Sequence, residues 1–277
     1  MPARVDSLSR VERQYRRAIS ILHWPARIGI KPTVEAAAVK LLKVEPRLLA
    51  ERPTLFVGEK CLEIGGPTIR AEPVIHLYQK CASCDNIQFS AAALEEMPGS
   101  LPSTYTVLGR RLGVQYILEG TDLKTLADGT YDVVYSSHVI EHLANPIQAL
   151  NEWKRVLKPG GTLFLIVPHK RLGFDHRRPL TSIQHLVNDF DQGVDESDIT
   201  HLEEIKGLHD LQMDPCSGTR QEWTSELDRN LESRVAHHHV FDERLVEKML
   251  SRIGMQPLET EVYPTLGILA ISRKCDQ

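Results

Sequence analysis

Two stretches near the start of the chain carry apolar residues at helical spacing. In residues 5–22 the apolar side chains recur every three or four positions, which predicts an amphipathic helix. A second helix is predicted from Thr33 to Ala50, and Pro46 should interrupt it because proline cannot donate the helical hydrogen bond. Since both helices precede the rest of the regular pattern, we interpret residues 1–57 as an N-terminal helical extension or lid.

From residue 58 onward, short apolar runs alternate with helical patterns. This alternation is typical of βαβ units, which build a parallel sheet, and we expect helices between the strands. One helix is predicted from Leu143 to Leu157, where Lys158-Pro159-Gly160-Gly161 should end it. The five strands predicted in this part are Lys60–Ile64, Asp85–Phe89, Val114–Glu119, Tyr131–Ser136 and Thr162–Val167.

The alternation stops after the fifth strand and resumes near residue 240. Residues 170–240 are rich in His, Asp and Arg, and a connection of this length is usually functional or a small subdomain. We interpret it as a substrate cap inserted into a domain that spans residues 58–277. Asp242 is then a suitable N-cap for a helix over Glu243–Ile253, and two final strands are predicted around Pro257–Tyr263 and Gly267–Arg273.

The composition narrows the class of protein. Hydrophobic residues make up 42% and charged residues 25% of the 277 positions, as in ordinary globular domains. A net charge of -4 gives no general attraction for nucleic acid. No apolar stretch is long enough to span a bilayer, and the N-terminus lacks the apolar core of a signal peptide. We therefore expect a cytoplasmic protein with no nucleic-acid partner and no membrane span. The sequence leaves open whether the chain forms a homo-oligomer.

The turn after the first strand is the strongest candidate for a binding site. In Glu63-Ile64-Gly65-Gly66-Pro67 a strand that contains an acidic residue runs into two glycines. Glycines allow a tight turn and a close approach of the backbone to a ligand. Taken alone this turn is ambiguous, since similar glycines serve NAD, FAD or simple packing.

Polar residues on the following strands sharpen this interpretation. Asp85, on the second strand, has a spacing at which a carboxylate can accept hydrogen bonds from ribose hydroxyls. Asp122 follows the third strand and could accept from an adenine amine. Ser136-Ser137-His138 ends the fourth strand, over the crevice where open α/β sheets bind ligands. An Asp after a strand is also often a turn or helix cap, so the order of these residues is the stronger argument.

Together these segments resemble the successive motifs of the class I S-adenosylmethionine-dependent methyltransferases. The resemblance covers residues 58–170 and is most specific around Leu157-Lys158-Pro159-Gly160-Gly161. It implies an α/β fold with a mostly parallel, seven-stranded Rossmann-like sheet and helices on both faces. It also implies S-adenosylmethionine as the cofactor and S-adenosylhomocysteine as the product. The residues it assigns to the cofactor site are Glu63, Gly65, Gly66, Pro67, Asp85, Thr121, Asp122, Leu123, Ser136, Ser137 and His138.

Pro67 departs from the usual glycine pattern of that family. Proline removes a backbone N–H, which a dinucleotide enzyme would need for its pyrophosphate. The departure therefore counts against NAD or FAD more than against a methyl donor.

The candidates for a catalytic base lie after the fifth strand. Methyl transfer to a hydroxyl needs a group that takes the proton, and His169, Asp175 and His176 lie at the end of that strand and the start of the cap. Each histidine could instead be a structural hydrogen-bonding group. The run His237-His238-His239 could bind a metal, form a wall of the substrate site or be a charged loop. A divalent metal is possible but not favoured, and we assign no metal ligands.

These observations favour an O-methyltransferase that acts on a polar small molecule or a saccharide hydroxyl, with a His or Asp base. The segments from Pro168 to His185 and from His238 to Asp242 resemble a bacterial subgroup associated with sugar and natural-product methylation. Two alternatives remain: an N- or C-methyltransferase of a natural-product intermediate, and a cofactor-binding regulatory protein without catalysis.

Overall fold

The computed structural model describes residues 33–37, 44–69, 71–90, 104–214 and 217–275. The strands in these residues are β1 (Lys60–Ile64), β2 (Ser83–Gln88), β3 (Tyr105–Val107), β4 (Arg110–Gly113), β5 (Gln115–Ile117), β6 (Tyr131–Ser137), β7 (Leu157–Val167), β8 (Met255–Tyr263) and β9 (Gly267–Lys274). Seven of them form one sheet in the order β5-β2-β1-β6-β7-β9-β8.

Short and medium-length helices surround this sheet. They are α1 (Arg47–Ala50), α2 (Glu72–Ile75), α3 (Leu77–Lys80), α4 (Pro146–Val156), α5 (Ile183–Gln192), α6 (Leu202–Leu208), α7 (Arg220–Asp228), α8 (Asn230–Ser233) and α9 (Glu243–Arg252). Residues 33–37 are also helical, and a 3-10 turn spans Ile140–His142.

The sheet is parallel except at one end. β1 pairs in parallel with β2 and β6, β2 with β5, and β6 with β7, whereas β9 runs antiparallel to both β7 and β8. This confirms the predicted mostly parallel, seven-stranded sheet. Because parallel strands end on the same edge, the loops after β1, β2, β5 and β6 meet there, where open α/β sheets bind ligands.

Alternating side chains of the central strands supply two separate cores. On one face, residues such as Leu62, Val134 and Leu165 pack with apolar side chains of α4, α5 and α9. On the other face, Cys61 and Phe164 pack with side chains of α1, α2 and α3. Helices therefore cover both faces, as expected for a parallel sheet whose strands are buried on both sides.

The predicted helix and strand around Lys158 differ from the structure in their boundary. α4 starts after Asn145, whose side chain accepts a hydrogen bond from Gln148 N. The helix ends at Val156, and β7 begins directly at Leu157 rather than at Thr162. The register of β7 against β6 shifts between Tyr131 and Val133. Gly160 and Gly161 therefore lie within β7, at an irregularity in its pairing with β6.

The prediction of helices between the parallel strands is wrong for the connection from β5 to β6, whereas residues 91–103, between β2 and β5, lie outside the described residues. Among the described residues between β2 and β5, the regular structure is an antiparallel hairpin of β3 and β4. Its turn residues Leu108 and Gly109 have φ of 51° and 77°, the conformation that tight hairpin turns require. The connection from β5 to β6 contains turns instead of a helix.

The insertion after β7 contains α5, α6, α7 and α8. α5 packs against the main core through Leu186. α6 and α7 form a small core of their own with the segment before the histidine run; it consists of Leu202, Ile205, Trp223, Leu227 and Ala236. The insertion is thus partly fused to the sheet domain, and its role as a substrate cap stays a prediction.

The N-terminal part of the chain falls only partly within the described residues. The helix predicted over residues 5–22 lies outside them. Within the second predicted helix, residues 44–46 are not helical, and α1 begins after Pro46. Leu48 and Phe56 are buried in the second core, so residues 47–57 belong to the sheet domain in packing terms. Among the described residues, no helix has both the length and the apolar composition needed to cross a membrane.

Candidate functional site

A buried carboxylate holds the turn after β1 from inside. Glu63 has no exposed surface, and its oxygens accept hydrogen bonds from Thr68 N and Oγ1 at 3.0 and 2.8 Å. They also accept from the hydroxyls of Tyr78 and Tyr105 at 2.8 and 2.5 Å. Burial raises the pKa of Glu63, while the hydrogen bonds oppose that rise. Glu63 therefore holds the turn after β1 in shape from the protein interior.

Two glycines let the backbone of this loop pass close to its neighbours. Gly65 has a φ of +79°, and a Cβ at this position would lie 2.4 Å from Cγ2 of Val139. A Cβ on Gly66 would lie 2.2 Å from the carboxyl carbon of Glu63. The Asn86 side chain binds both the N–H and the carbonyl of Gly66, at 3.0 and 3.2 Å. The turn can therefore present bare backbone to a ligand at this edge of the sheet.

A cavity of about 190 Å³ opens where β1, β2, β5 and β6 end. Its walls combine the backbone of Gly65 with apolar side chains and a few polar groups, as in small-molecule sites. Of the cofactor residues that the sequence predicts, Gly65 and His138 line this cavity. The bare backbone and largely apolar walls fit a nucleoside that carries a thioether or sulfonium chain.

The structure does not bring Asp85 to this cavity. Asp85 lies inside β2, opposite Leu62, and three residues before the strand ends at Gln88. Its carboxylate accepts hydrogen bonds from Val114 N at 2.8 Å and from the Tyr131 hydroxyl at 2.9 Å. Asp85 therefore binds within the sheet, and its strand register keeps it out of the cavity wall, so its contact with ribose stays a prediction.

The residues predicted to meet adenine also lie away from the cavity walls. Asp122 is exposed and pairs with Lys124 Nζ at 3.0 Å, and hydrogen bonds from Lys124 lower its pKa. Leu123 is fully buried in the core, and its N–H donates to Glu152. The carbonyl of Thr121 accepts from Gln148. Asp122 therefore caps the turn after β5, which is the structural role that an Asp following a strand often has.

Ser136 and Ser137 form the buried end of β6, in register with Leu165 and Ile166 of β7. They do not line the cavity, and neither do Glu63, Gly66 and Pro67. His138 follows directly and has a φ of 54°, which is uncommon for residues other than glycine. Strained residues of this kind cluster at functional sites.

The structure adds several residues that the sequence did not single out as cofactor contacts. Gln88 ends β2 and Phe89 follows it, Glu119 lies just after β5, and Arg234 belongs to the insertion. Arg234 pairs with Glu119 at 2.6 Å and with Glu196 at 2.5 Å, and its guanidinium lies 5.3 Å from the centre of the Phe89 ring. A rule based on strand ends would have found Gln88, whereas nothing near Arg234 in the sequence signals its position.

A second cavity of about 350 Å³ lies beside the first, and both are lined by His138 and His142. It is bounded by the end of β7, the start of the insertion and the histidine run. His169, Asp175, His237 and His239 are among its polar residues, and Phe174 and Met213 are among its apolar ones. The two cavities therefore adjoin each other along a shared wall.

Asp175 and His237 form a hydrogen-bonded pair in the wall of the second cavity. His237 Nδ1 lies 2.6 Å from Asp175 Oδ2, and both side chains are buried. Burial disfavours charge on both groups, but His237 and Arg178 lower the pKa of Asp175 to about 2. Burial also opposes a charged His237, yet the nearby Asp175 carboxylate raises its pKa. With Nδ1 turned to Asp175, Nε2 is the ring nitrogen left for the cavity.

The other predicted bases are engaged elsewhere. His169 lines the second cavity, but its Nε2 lies 3.2 Å from Glu243 and its Nδ1 accepts from Arg171 N at 3.0 Å. His176 does not line the cavity; its Nε2 lies 3.0 Å from Asp210. Asp175 is present but is ion-paired on both sides, which suits it to orienting His237. Sequence reasoning did not pair Asp175 with His237, because the two residues are 62 positions apart in the chain.

Buried polar groups also lie between the two cavities. Glu141 is fully buried, and neither of its carboxylate oxygens has a hydrogen-bond partner within the part of the chain that the structure describes. Burial opposes its charge, but the histidines around it, above all His138, lower its pKa. Burial lowers the pKa of the adjacent His142 to about 4. The boundary between the cavities is therefore strongly polar although it is shielded from bulk water.

A matched pair of substitutions tests whether Gln88 or Asp85 contacts the ribose of the cofactor. Gln88→Ala should weaken S-adenosylhomocysteine binding by about fivefold or more, because it removes a side chain that lines the cavity and donates to the Gly66 carbonyl. Asp85→Ala should leave the Kd within about twofold and lower the free energy of unfolding by about 1–3 kcal/mol. Isothermal titration and urea denaturation measure these effects. The opposite pattern would return Asp85 to the cofactor site.

The strand order, the glycine turn and the edge cavity define a Rossmann-like α/β fold with a nucleoside site. Residues 71–165 match a family model described as a methyltransferase domain. This match supports the predicted methyltransferase family and, with it, S-adenosylmethionine as the cofactor.

Two curated relatives match parts of the chain. The ubiquinone biosynthesis O-methyltransferase of Parvibaculum lavamentivorans is 33% identical over 128 residues, which cover 44% of this chain and 45% of the relative. The human thiol S-methyltransferase TMT1B is 44% identical over 48 residues, or 17% of this chain and 20% of the relative. The chain thus spans less than half the length of these relatives. Among solved structures, an S-adenosylmethionine-dependent methyltransferase from Mesorhizobium loti gives a TM-score of 0.47 at 16% identity, covering 81% of this chain and 97% of the other.

Proposed function

We propose that this protein is an O-methyltransferase that acts on a hydroxyl of a polar small molecule or saccharide. The observation that carries the proposal is the Asp175–His237 pair, which opens on a cavity that shares His138 and His142 with the cofactor cavity. In the proposed reaction the acceptor oxygen displaces the thioether, so the S–CH₃ bond breaks and an O–CH₃ bond forms. His237 takes the hydroxyl proton.

The cofactor supplies an activated methyl group, and the residues of the first cavity would bind and orient it. The Gly65 backbone would lie against the methionine portion, and the Gln88 amide lies at the strand end where ribose hydroxyls are usually held. The Phe89 ring offers an aromatic surface for the adenine. Since alignment is the main requirement of this reaction, a rigid turn fixed by Glu63 serves it directly.

His237 has the features of a general base. Its ring is fixed through Nδ1 by Asp175, which keeps the lone pair of the neutral ring on Nε2. Arg178 supports the arrangement, because its Nη1 donates to Asp175 at 3.0 Å and to the carbonyl of His237 at 2.6 Å. A general base of this kind contributes about 10²–10⁴-fold to rate. A hydroxyl acceptor needs a general base to take its proton, whereas a thiol acceptor depends much less on one.

The chemistry of the second cavity supports a polar acceptor. Its walls carry Lys170, Asp175 and several histidines beside apolar side chains, so they can hydrogen-bond hydroxyls while covering the ring or carbon skeleton that bears them. The Parvibaculum relative is named as an O-methyltransferase, which also supports oxygen as the acceptor atom.

Transfer of a labelled methyl group tests the proposal. The full chain is incubated with S-adenosylmethionine carrying a CD₃ group and with panels of sugar, phenol, thiol and amine acceptors. We expect products heavier by one CD₃ unit from hydroxyl acceptors, with the label on oxygen by NMR. Label on nitrogen, carbon or sulfur would overturn the proposed acceptor atom. Tight cofactor binding without turnover of any panel member would favour the non-catalytic alternative.

A further inference from the structure

We propose that His185, Asp189, His201 and His239 form a zinc site within the insertion, separate from the cofactor cavity. Each of these residues offers one ligand atom, and the four atoms all lie within 4.8 Å of one another. Three imidazoles and one carboxylate are a ligand set that zinc takes in four-coordinate sites.

The distances within the group match tetrahedral coordination. With zinc–ligand bonds of about 2.0–2.1 Å, neighbouring ligand atoms should be roughly 3.3 Å apart. His185 Nε2 lies 3.3 Å from Asp189 Oδ2 and 3.2 Å from His201 Nε2. His239 Nε2 lies 3.9 Å from the same Asp189 oxygen. Placing all four atoms around one ion requires side-chain rotations, including one that moves His239 Nε2 away from the Ala144 carbonyl, which lies 3.2 Å from it.

Burial and unmet hydrogen bonds give independent support. His239 has only 1% of its surface exposed, and Asp189 Oδ2 is a buried oxygen without a hydrogen-bond partner among the described residues. A buried carboxylate oxygen left unpaired is costly, and a cation would offset that cost.

The origin of the ligands indicates a structural role. His185 and Asp189 lie one turn apart on α5, His201 directly precedes α6, and His239 belongs to the segment that returns to the sheet. Asp198 Oδ2 lies 3.9 Å from the same nitrogen of His201, Nε2, so a second carboxylate borders the group. Four protein ligands leave no open position, which is the pattern of structural zinc sites. The ion would join three segments of the insertion behind the wall that His239 contributes to the second cavity.

A simple hydrogen-bonded cluster is the competing explanation. In that case the 3.2 Å contact between His185 and His201 is an ordinary N–H to N bond, and the group has no particular affinity for metal. A second candidate group, Glu141, His142 and His237, lies in the wall between the two cavities and belongs to the proposed catalytic site. The experiment must therefore locate any bound ion as well as detect it.

Metal content and cobalt substitution test the site. The full chain is purified with its affinity tag removed, and zinc is measured by inductively coupled plasma mass spectrometry. The chelator-treated protein is then titrated with Zn²⁺ or Co²⁺ alone. We expect one equivalent of zinc per chain, the visible spectrum of tetrahedral Co²⁺, and a rise in Tm on adding Zn²⁺. The variants are His185→Ala, His201→Ala and the milder Asp189→Asn, with His76→Asn as a matched control outside the cluster.

The variants decide between the explanations. Loss of at least tenfold in Zn²⁺ affinity in His185→Ala, with no loss in His76→Asn, supports the site. If His185→Ala fails to fold, Asp189→Asn should still weaken the tetrahedral Co²⁺ spectrum while circular dichroism stays native. The proposal is overturned if the wild-type chain takes up no Zn²⁺ or Co²⁺, or if uptake is equal in all cluster variants.

Discussion

Replacing His237 with glutamine is expected to lower kcat by about 10²–10⁴-fold, the contribution that a positioned general base usually makes. The expected cause is loss of the cavity-lining imidazole whose Nδ1 lies 2.6 Å from the buried Asp175 carboxylate. Because His237 does not line the cofactor cavity, the Kd for S-adenosylhomocysteine should change by less than about threefold. Turnover and isothermal titration on the same preparation measure the two quantities.

Two controls identify the base among the candidate histidines. His169→Gln and His176→Gln should each retain turnover within about tenfold, because those rings are bound to Glu243 and Asp210. Asp175→Asn should lower kcat with little change in KM, since it leaves the histidine in place but no longer fixes its tautomer. If His169→Gln lost as much activity as His237→Gln, the Asp175–His237 pair would not be the base.

Replacing Gly65 with alanine is expected to weaken cofactor binding by about tenfold or more. The added Cβ would lie 2.4 Å from Val139 Cγ2, and the φ of +79° costs an L side chain roughly 1–2 kcal/mol. Since 1.4 kcal/mol corresponds to a factor of ten, strain and clash together should exceed that factor. Titration with S-adenosylhomocysteine measures the loss, and thermal unfolding shows whether the domain remains folded.

A second substitution separates the clash from the strain. Val139→Ala removes the Cγ2 atom that the new Cβ would strike, so Gly65→Ala/Val139→Ala should recover part of the lost affinity. Val139→Ala alone should have a small effect, because it only shortens one apolar wall of the cavity. If the double variant bound no better than Gly65→Ala, backbone strain alone would explain the loss and the close approach to Val139 would be irrelevant.

The fold was more predictable than the site because its signals are local. The strands around Lys60, Tyr131 and Gly267 are short apolar runs, and the Asp242 side chain caps α9 by accepting from Leu245 N, as its position predicts. The β3–β4 hairpin was missed because a short, partly polar segment has little periodicity, although Leu108-Gly109 forms its turn. The start of β7 at Leu157 was not predicted, because Pro159 and the two glycines that follow it are typical of a segment that ends a helix.

The site depends on contacts that no local pattern contains. Asp85 has the right residue type and spacing, but the pairing of Leu62 with Asp85 places it below the edge of the sheet, and that register is a tertiary property. Asp175 was recognised as chemically important, yet its partner His237 comes from the far end of the insertion. Gly65 and His138 were correctly placed at the cavity because glycine turns and strand ends are sequence features that fix position directly.

The short stretch that carries Arg234 and His237 gives the two cavities a common wall. Arg234 closes part of the cofactor cavity through its pairs with Glu119 and Glu196, and three residues later His237 reaches into the second cavity. A ligand that shifts this stretch on one side alters the shape of the other side. If the methyl donor changes the affinity for the acceptor by some factor, thermodynamic linkage requires the acceptor to change the affinity for the donor by the same factor. Where such a shift occurs, a dissociation constant for either ligand has meaning only when the occupancy of the other cavity is specified.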